Sequence, residues 1–466
     1  MKKLTANFLS LTASEILRKI FGFLAVAYLA RRLSVSEFGL VSLAFTVLSY
    51  TLNISTAGLN LFGIRESVRT LDHVFTGRLV SLRLVFGATV FLVTVAAAQI
   101  LVADPLTVKL IVLFNCTLFA QALVLDWYFQ GKEAMRTVSI GKSVTAAVYL
   151  ILLLMFVKRS QDLLYVGYAA VGGDVAMMLF FLLRFRNEGG RLRPVIDIPV
   201  WKDMIKQAIP LGVGTVLGQI SINLAPLALA ILMTTTEVGL YSAASKLVVF
   251  LLLFDRVLGV LLLPASARLH AVAPAQLGER LSDALKWILL TALPICVGGM
   301  LVANDMIRLV FGENFVAAAE LFRILIWFLC FTMIHTVYTS GLIAVAPSNV
   351  YGRVMSISAL VYLISIGLLT KFFGIHGTVF AVVLSEGITL LVARANLRPY
   401  LQLRPKFSLL WIACALAAMI ATVVALQAFG MFVRVSVGAA IYIAALVVLR
   451  IGTVDEFAAL VWRKPS

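Results

Sequence analysis

From Phe8 to Leu449 the chain alternates apolar runs of about 20 residues with short polar joints, the length at which an α-helix crosses the hydrocarbon of a bilayer. Fourteen runs can be read: Phe8–Leu29, Phe38–Leu61, Leu79–Leu101, Leu110–Phe129, Val144–Val157, Leu164–Leu183, Ile209–Met233, Leu240–Leu263, Ile288–Val310, Ala317–Val345, Val354–Leu369, Gly377–Leu397, Leu409–Ala425 and Met431–Leu449. The fifth and eleventh are short and must borrow a turn from their flanks. The pattern predicts an all-α polytopic membrane protein of about fourteen transmembrane helices. Glu15, Arg18 and Lys19 interrupt the first run, so it reads as a retained helix rather than a signal peptide.

Composition strengthens this reading. Hydrophobic residues are 62% of the 466 and charged residues 13%, which excludes a water-soluble fold and leaves no room for a sizeable soluble domain. The formal charge of +17 raises the question of nucleic acid. Its Lys and Arg instead collect in every second joint, as in the stretches Arg65–Arg78, Lys132–Lys142, Arg184–Lys206 and Arg394–Lys406. That alternation is a topology signal, and it puts both termini in the cytoplasm. Cys116, Cys296, Cys330 and Cys414 lie inside apolar runs without CxxC spacing, so neither a disulfide frame nor a metal site is indicated.

An internal repeat appears at an offset of 200 residues: Glu37, Gly39, Leu40, Ser42 and Ala44 recur as Glu237, Gly239, Leu240, Ser242 and Ala244. Upstream, Leu24-Ala25 and Leu29-Ala30 recur as Leu224-Ala225 and Leu229-Ala230. In both places the motif joins the first helix of a unit to its second. Two six-helix bundles of the same topology follow, a parallel repeat about an axis along the membrane normal. The expected organisation is a first lobe over residues 1–190, a basic cytoplasmic linker over 191–206, a second lobe over 207–400, and helices 13 and 14 with a tail over 401–466.

Ionisable groups inside spans cost at least ~2.5–3.5 kcal/mol each at the bilayer centre, so they face a bundle interior or a wet cavity. Glu15, Arg18 and Lys19 share one face of the first helix. Glu15 neutralises only one of the two cations, which leaves Arg18 for an anionic group. Asp255 and Arg256 point about 100° apart on one helix and each needs another partner. Arg83 is a further buried cation. Glu320 and Arg323, three residues apart, read as a local ion pair. Asp174 and Glu386 are lone acids, either ion-coupling groups or packed carboxyls beside small residues. Asn53, Asn60 and Asn223, with neighbouring Ser55, Thr56, Gln219 and Ser221, suit sugar hydroxyls or interhelical bonds equally well. Asp126-Trp127-Tyr128-Phe129-Gln130-Gly131-Lys132 reads as an interfacial aromatic belt. No Walker loop, HExxH or GxSxG occurs, and the outer joints are too short for a catalytic domain.

Five segments carry a resemblance. LARRLSVSEFGLVSLAF, LNISTAGLNLFGIRE, LDWYFQGKEAM, FGENFVAAAELFRIL and FGIHGTVFAVVLSE, in this order along nearly the whole chain, are similar to the polysaccharide transporter family of the multidrug/oligosaccharidyl-lipid/polysaccharide exporter superfamily. The likeness is greatest to O-antigen and related oligosaccharide-repeat flippases. It implies a non-enzymatic, alternating-access flippase in the bacterial inner membrane, without a cofactor. Its expected substrate is an undecaprenyl-pyrophosphate-linked oligosaccharide, moved to the outer leaflet for O-antigen, capsule or exopolysaccharide synthesis. A cationic cavity is implied as well, with Arg18 and Arg256 carried over to it, and Lys19 and Arg83 are expected beside them. Membrane lipids, a polysaccharide polymerase and a chain-length regulator are the expected partners. Two other readings compete: an ion-coupled drug or cation antiporter using Asp174, Asp255 or Glu386, and a membrane scaffold for glycan-assembly enzymes.

Overall fold

The computed structural model describes residues 18–67, 73–404 and 409–449, and among them there are helices and joints but no strand. After a first helix over residues 18–32 (α1) come α2 (Val35–Thr56), α3 (Leu59–Ser67), α4 (His73–Leu101), α5 (Pro105–Asn115), α6 (Thr117–Leu123) and α7 (Asp126–Gly131). These are followed by α8 (Met135–Phe156), α9 (Leu163–Asn187), α10 (Ile198–Leu232), α11 (Thr235–Leu251) and α12 (Leu253–Val272). The chain continues through α13 (Pro274–Leu301), α14 (Ala303–Phe311), α15 (Ala318–Val345), α16 (Ser348–Leu397), α17 (Leu409–Ala425) and α18 (Met431–Val448). Among the described residues 10 stretches are long and apolar enough to cross a membrane, and Leu410–Ala425 is a shorter apolar helix. The 50 residues of α16 would reach ~75 Å as one rod, more than twice the hydrocarbon thickness. Gly374 breaks it at φ 59°, in the left-handed region that glycine tolerates, where the sequence separates two runs.

Capping explains why the repeat motif is spelled as it is. Ser34 is the N-cap of α2: the Glu37 amide donates to its hydroxyl at 3.3 Å, and its own amide donates to the Glu37 carboxylate at 2.8 Å. The second copy repeats part of this device, with the Thr234 amide and hydroxyl donating to the Glu237 carboxylate at 2.8 and 3.0 Å. Glu37 is therefore a capping-box acid, and Glu237 occupies the same place in the second copy. The two copies also meet. Ser36 Oγ and Thr235 Oγ1 are hydrogen-bonded at 2.7 Å, and a Cβ on Gly39 would strike the Thr235 carbonyl while one on Gly239 would strike the Val35 carbonyl. Residues 35 and 39 thus face 235 and 239 reciprocally.

A second repeat-related contact was not visible in the sequence reading. The Val195 amide donates to Ser81 Oγ at 3.1 Å, and the Arg404 amide donates to Ser282 Oγ at 2.9 Å. In both places the chain that follows a long helix, α9 or α16, is tied back across an earlier one, α4 or α13. The helices form two compact units, one through Ser242 and one from Ala243. In the first, α2 packs on α4, α5 and α10, and α8 on α9; in the second, α15 is the hub for α12, α13 and α16, with α17 and α18 paired beside α13.

Three sequence readings change. The Asp126–Lys132 motif is no interfacial belt: Trp127 and Phe129 are fully buried and Tyr128 nearly so, in one core with Leu79, Phe181 and Phe185. The chain breaks at Val124 and Leu125, so the short α7 turns its rings inward against α3 and α8 rather than continuing along the membrane. Glu320 and Arg323 do not pair; Glu320 is exposed and Arg323 only half-buried, and solvent at the start of α15 removes the need. Finally, α10 begins at Ile198, capped by Asp197 and carrying Pro199 in its first turn, so the seventh helix starts well before the apolar run does.

Candidate functional site

In the first unit, polar groups converge where the fourth span is broken. Arg83, on α4 and 3% exposed, donates through Nη1 to the Val124 carbonyl at 2.8 Å and through Nη2 to the Gln121 carbonyl at 2.6 Å. These carbonyls lie at the C-terminus of α6, where the helix dipole favours a cation, and the Gln121 carbonyl also accepts the Val124 amide at 3.3 Å. The Gln121 side chain interacts with the carboxyl of Asp174, buried on α9. Ser55, Thr56, Arg83, Leu118, Gln121 and Ala122 enclose a cavity of about 10 Å³, room for roughly one water molecule. Arg83 Nε has no hydrogen-bond partner. Nearby, Thr51 donates to Asn115 Oδ1 at 2.6 Å, so α2 and α5 are joined by a buried polar contact.

The remaining residues of interest in this unit are more open. Arg18 is exposed and Lys19 half-buried on α1, while Glu15 lies outside the described residues. Asn53 donates back to the Ser49 carbonyl at 2.8 Å, and Asn60 Oδ1 is buried without a partner. Asn223 is half-buried on α10; the side chains of Gln219 and Ser221 lie outside the described residues.

In the second unit the sequence-predicted acids come together. Asp255 on α12 accepts from Thr336 Oγ1 at 2.6 Å, and Glu386 on α16 lies 3.0 Å from His335 Nδ1. His335 and Thr336 are consecutive on α15, and Asp255 interacts electrostatically with Glu386, His335 and Arg256. Arg256 itself is exposed. Sequence reasoning missed His335, Thr336 and Gln121. Histidine is neutral in a count of formal charge, yet a lone imidazole in an apolar run carries the same burial argument as a lone carboxylate.

The first unit joins a buried arginine to a broken helix, the second joins three titratable side chains from three helices, and all of this lies within membrane-spanning helices. The fold is that of polytopic membrane transporters. A structure of the lipid II flippase MurJ in an inward closed conformation aligns with a TM-score of 0.74 at 14% identity, covering 94% of this chain and 98% of that one. An inward-facing multidrug resistance MATE transporter of the MOP superfamily aligns at 0.60 and 14% identity over 82% of this chain and 94% of that one. A MOP superfamily transporter from Pyrococcus furiosus aligns at 0.55 and 12%, over 84% and 93%. No curated protein sequence matches the chain. A model of the polysaccharide biosynthesis protein family matches residues 4–270, more than half of the chain, which therefore belongs to that family.

Proposed function

We propose that the protein is a flippase for an undecaprenyl-pyrophosphate-linked oligosaccharide, moving it from the cytoplasmic to the outer leaflet of a bacterial inner membrane by alternating access. The observation that carries this reading is membership of a polysaccharide biosynthesis family by a chain built of membrane-spanning helices. Such a chain contributes to glycan synthesis by moving a lipid-borne intermediate rather than by making a glycosidic bond. The repeat at residues 34–44 and 234–244 supports two six-helix lobes, over 1–190 and 207–400, with both termini cytoplasmic.

In this reading Arg18 and Arg256, exposed guanidinium groups on membrane helices, take the pyrophosphate, because a planar fork binds phosphate oxygens two at a time. Lys19 adds positive charge. Asn53, Asn60 and Asn223 serve the glycan. Arg83 acts one step back, since both its terminal nitrogens are held by backbone carbonyls and it fixes the broken helix rather than the ligand. Asp174, bound to Gln121, is a packed carboxyl. A polymerase and a chain-length regulator would take the glycan up on the far side.

The test is transport of the lipid-linked oligosaccharide by purified protein in liposomes, with display of surface glycan in cells as the parallel readout. Arg18→Ala and Arg256→Ala should lose transport while inserting normally, and lysine at either position should restore it in part. Wild-type transport by both alanine variants would overturn the assignment.

A further inference from the structure

We propose that Glu386, His335 and Asp255 form a single proton-binding site in the second unit, with His335 at its centre. The proposal rests on the transporter reading for its use, but not for its existence. Three helices bring these side chains together: α16 supplies Glu386, α15 supplies His335 and Thr336, and α12 supplies Asp255. Among the described residues neither carboxylate has a lysine or arginine partner within ion-pair distance. Asp255 has one hydroxyl donor, and Glu386 has one imidazole nitrogen.

The imidazole is the group left unfinished. Its Nδ1 faces Glu386, whereas its Nε2 is buried and has no hydrogen-bond partner. A neutral ring that donates from Nδ1 leaves a bare acceptor at Nε2, and an imidazolium adds a second N–H there. Gain or loss of one proton therefore changes what the ring offers to Glu386 and to the space beyond Nε2. With a neutral ring the cluster holds two negative charges among membrane helices, and one bound proton removes one of them. The ring sits near the middle of α15, away from the polar ends of that helix.

The ionisable groups that packed helices bring to this point are few. Glu386 comes from α16 and Asp255 from α12, followed on the same helix by Arg256, which is exposed. Past Lys286, α13 carries only Cys296, whose thiol is turned to the Ile326 carbonyl at 3.2 Å. On α15 itself Tyr338 interacts with Arg394 and not with the cluster. Among the described residues no three His, Cys, Asp or Glu side chains are placed to hold a metal ion. A carboxyl and an imidazole 3.0 Å apart can exchange a proton directly, which is why a proton is the ligand assigned to this site.

The full chain in liposomes can be followed by infrared difference spectroscopy as the pH is lowered from mildly alkaline to mildly acidic. A protonated-carboxyl band should grow in the wild type. Glu386→Gln and Asp255→Asn should each remove part of it, and His335→Gln should displace the midpoint of what remains by about one pH unit, because a neighbouring charge has been lost. Glu320→Gln, at an exposed carboxyl, should leave the band unchanged. A band whose size is unaffected by Glu386→Gln and Asp255→Asn, or a midpoint unmoved by His335→Gln, would overturn the site. The same preparations are then assayed for lipid-linked oligosaccharide transport with an imposed pH gradient, whose stimulation should disappear in Glu386→Gln and His335→Gln. A wild type that moves no such lipid would refute the flippase reading while the infrared titration still decided the proton site. Stimulation retained by both variants would refute the coupling role.

Discussion

Placing a methyl group at Gly39 or Gly239 tests the contact between the two copies of the repeat. Each glycine lies against backbone of the other copy, Thr235 for Gly39 and Val35 for Gly239, and the Gly39 position is also 2.9 Å from the Gly239 amide nitrogen. Backbone cannot swing aside as a side chain does, so the added Cβ must push the helix starts apart. Overpacking of this kind costs ~1–3 kcal/mol, roughly a 5- to 150-fold change in the population of the closed contact. Ser36 and Thr235, whose hydroxyls are 2.7 Å apart, report on it. In a chain freed of Cys116, Cys296, Cys330 and Cys414, the pair Ser36→Cys and Thr235→Cys should cross-link readily under mild oxidation. Adding Gly39→Ala should slow that cross-linking by about tenfold or more, in line with that energy. If transport proceeds by the alternating access proposed above, cross-linking should also arrest it and reduction should restore it, because this crossing would have to slide. Equal cross-linking rates with and without Gly39→Ala would refute the close-packing argument, and full transport by the cross-linked protein would refute the claim that the crossing moves.

Other outcomes follow from the same geometry. Arg83→Met should destabilise the detergent-solubilised protein by about 1–3 kcal/mol, since the buried Val124 carbonyl loses its donor while the Gln121 carbonyl keeps the Val124 amide, with Arg83→Lys intermediate; thermal unfolding reads both. An impermeant thiol reagent added to intact cells should label a single cysteine at Thr235 and not one at Asn187, and labelling at Asn187 would break the topology argued from joint charges. The Asp104 carboxyl is held below the usual carboxylate range by the Thr107 hydroxyl and amide, as the N-cap of α5. A depressed value in the folded chain means that this contribution is complete above the ordinary carboxylate value, about 3.9, and is lost as the pH falls through the folded value. The stability advantage of the wild type over Asp104→Asn should therefore shrink with acidification, and a constant difference would contradict this.

The sequence by itself determined the class of the protein, because membrane burial imposes its rule residue by residue. A run of 20 apolar side chains can be satisfied only as a spanning helix, so helix positions, the internal repeat and the cost of charges such as Arg83 and Asp174 are all local statements. The contacts of Glu37 with Ser34 and of Glu237 with Thr234 are local too, and their spelling carried the repeat. Tertiary structure decided which polar groups meet. Arg83 reaches carbonyls of Gln121 and Val124 some forty residues away, a contact that no local pattern announces. His335 drew no reading from the sequence, and only the packing of α12 and α16 sets Asp255 and Glu386 beside it and its neighbour. The Trp127 motif has the composition of an interface, and only the break at Val124 turned it inward. Hydropathy records how much a side chain prefers to leave water, whereas partnership depends on helix rotation and kinks, which distant packing sets.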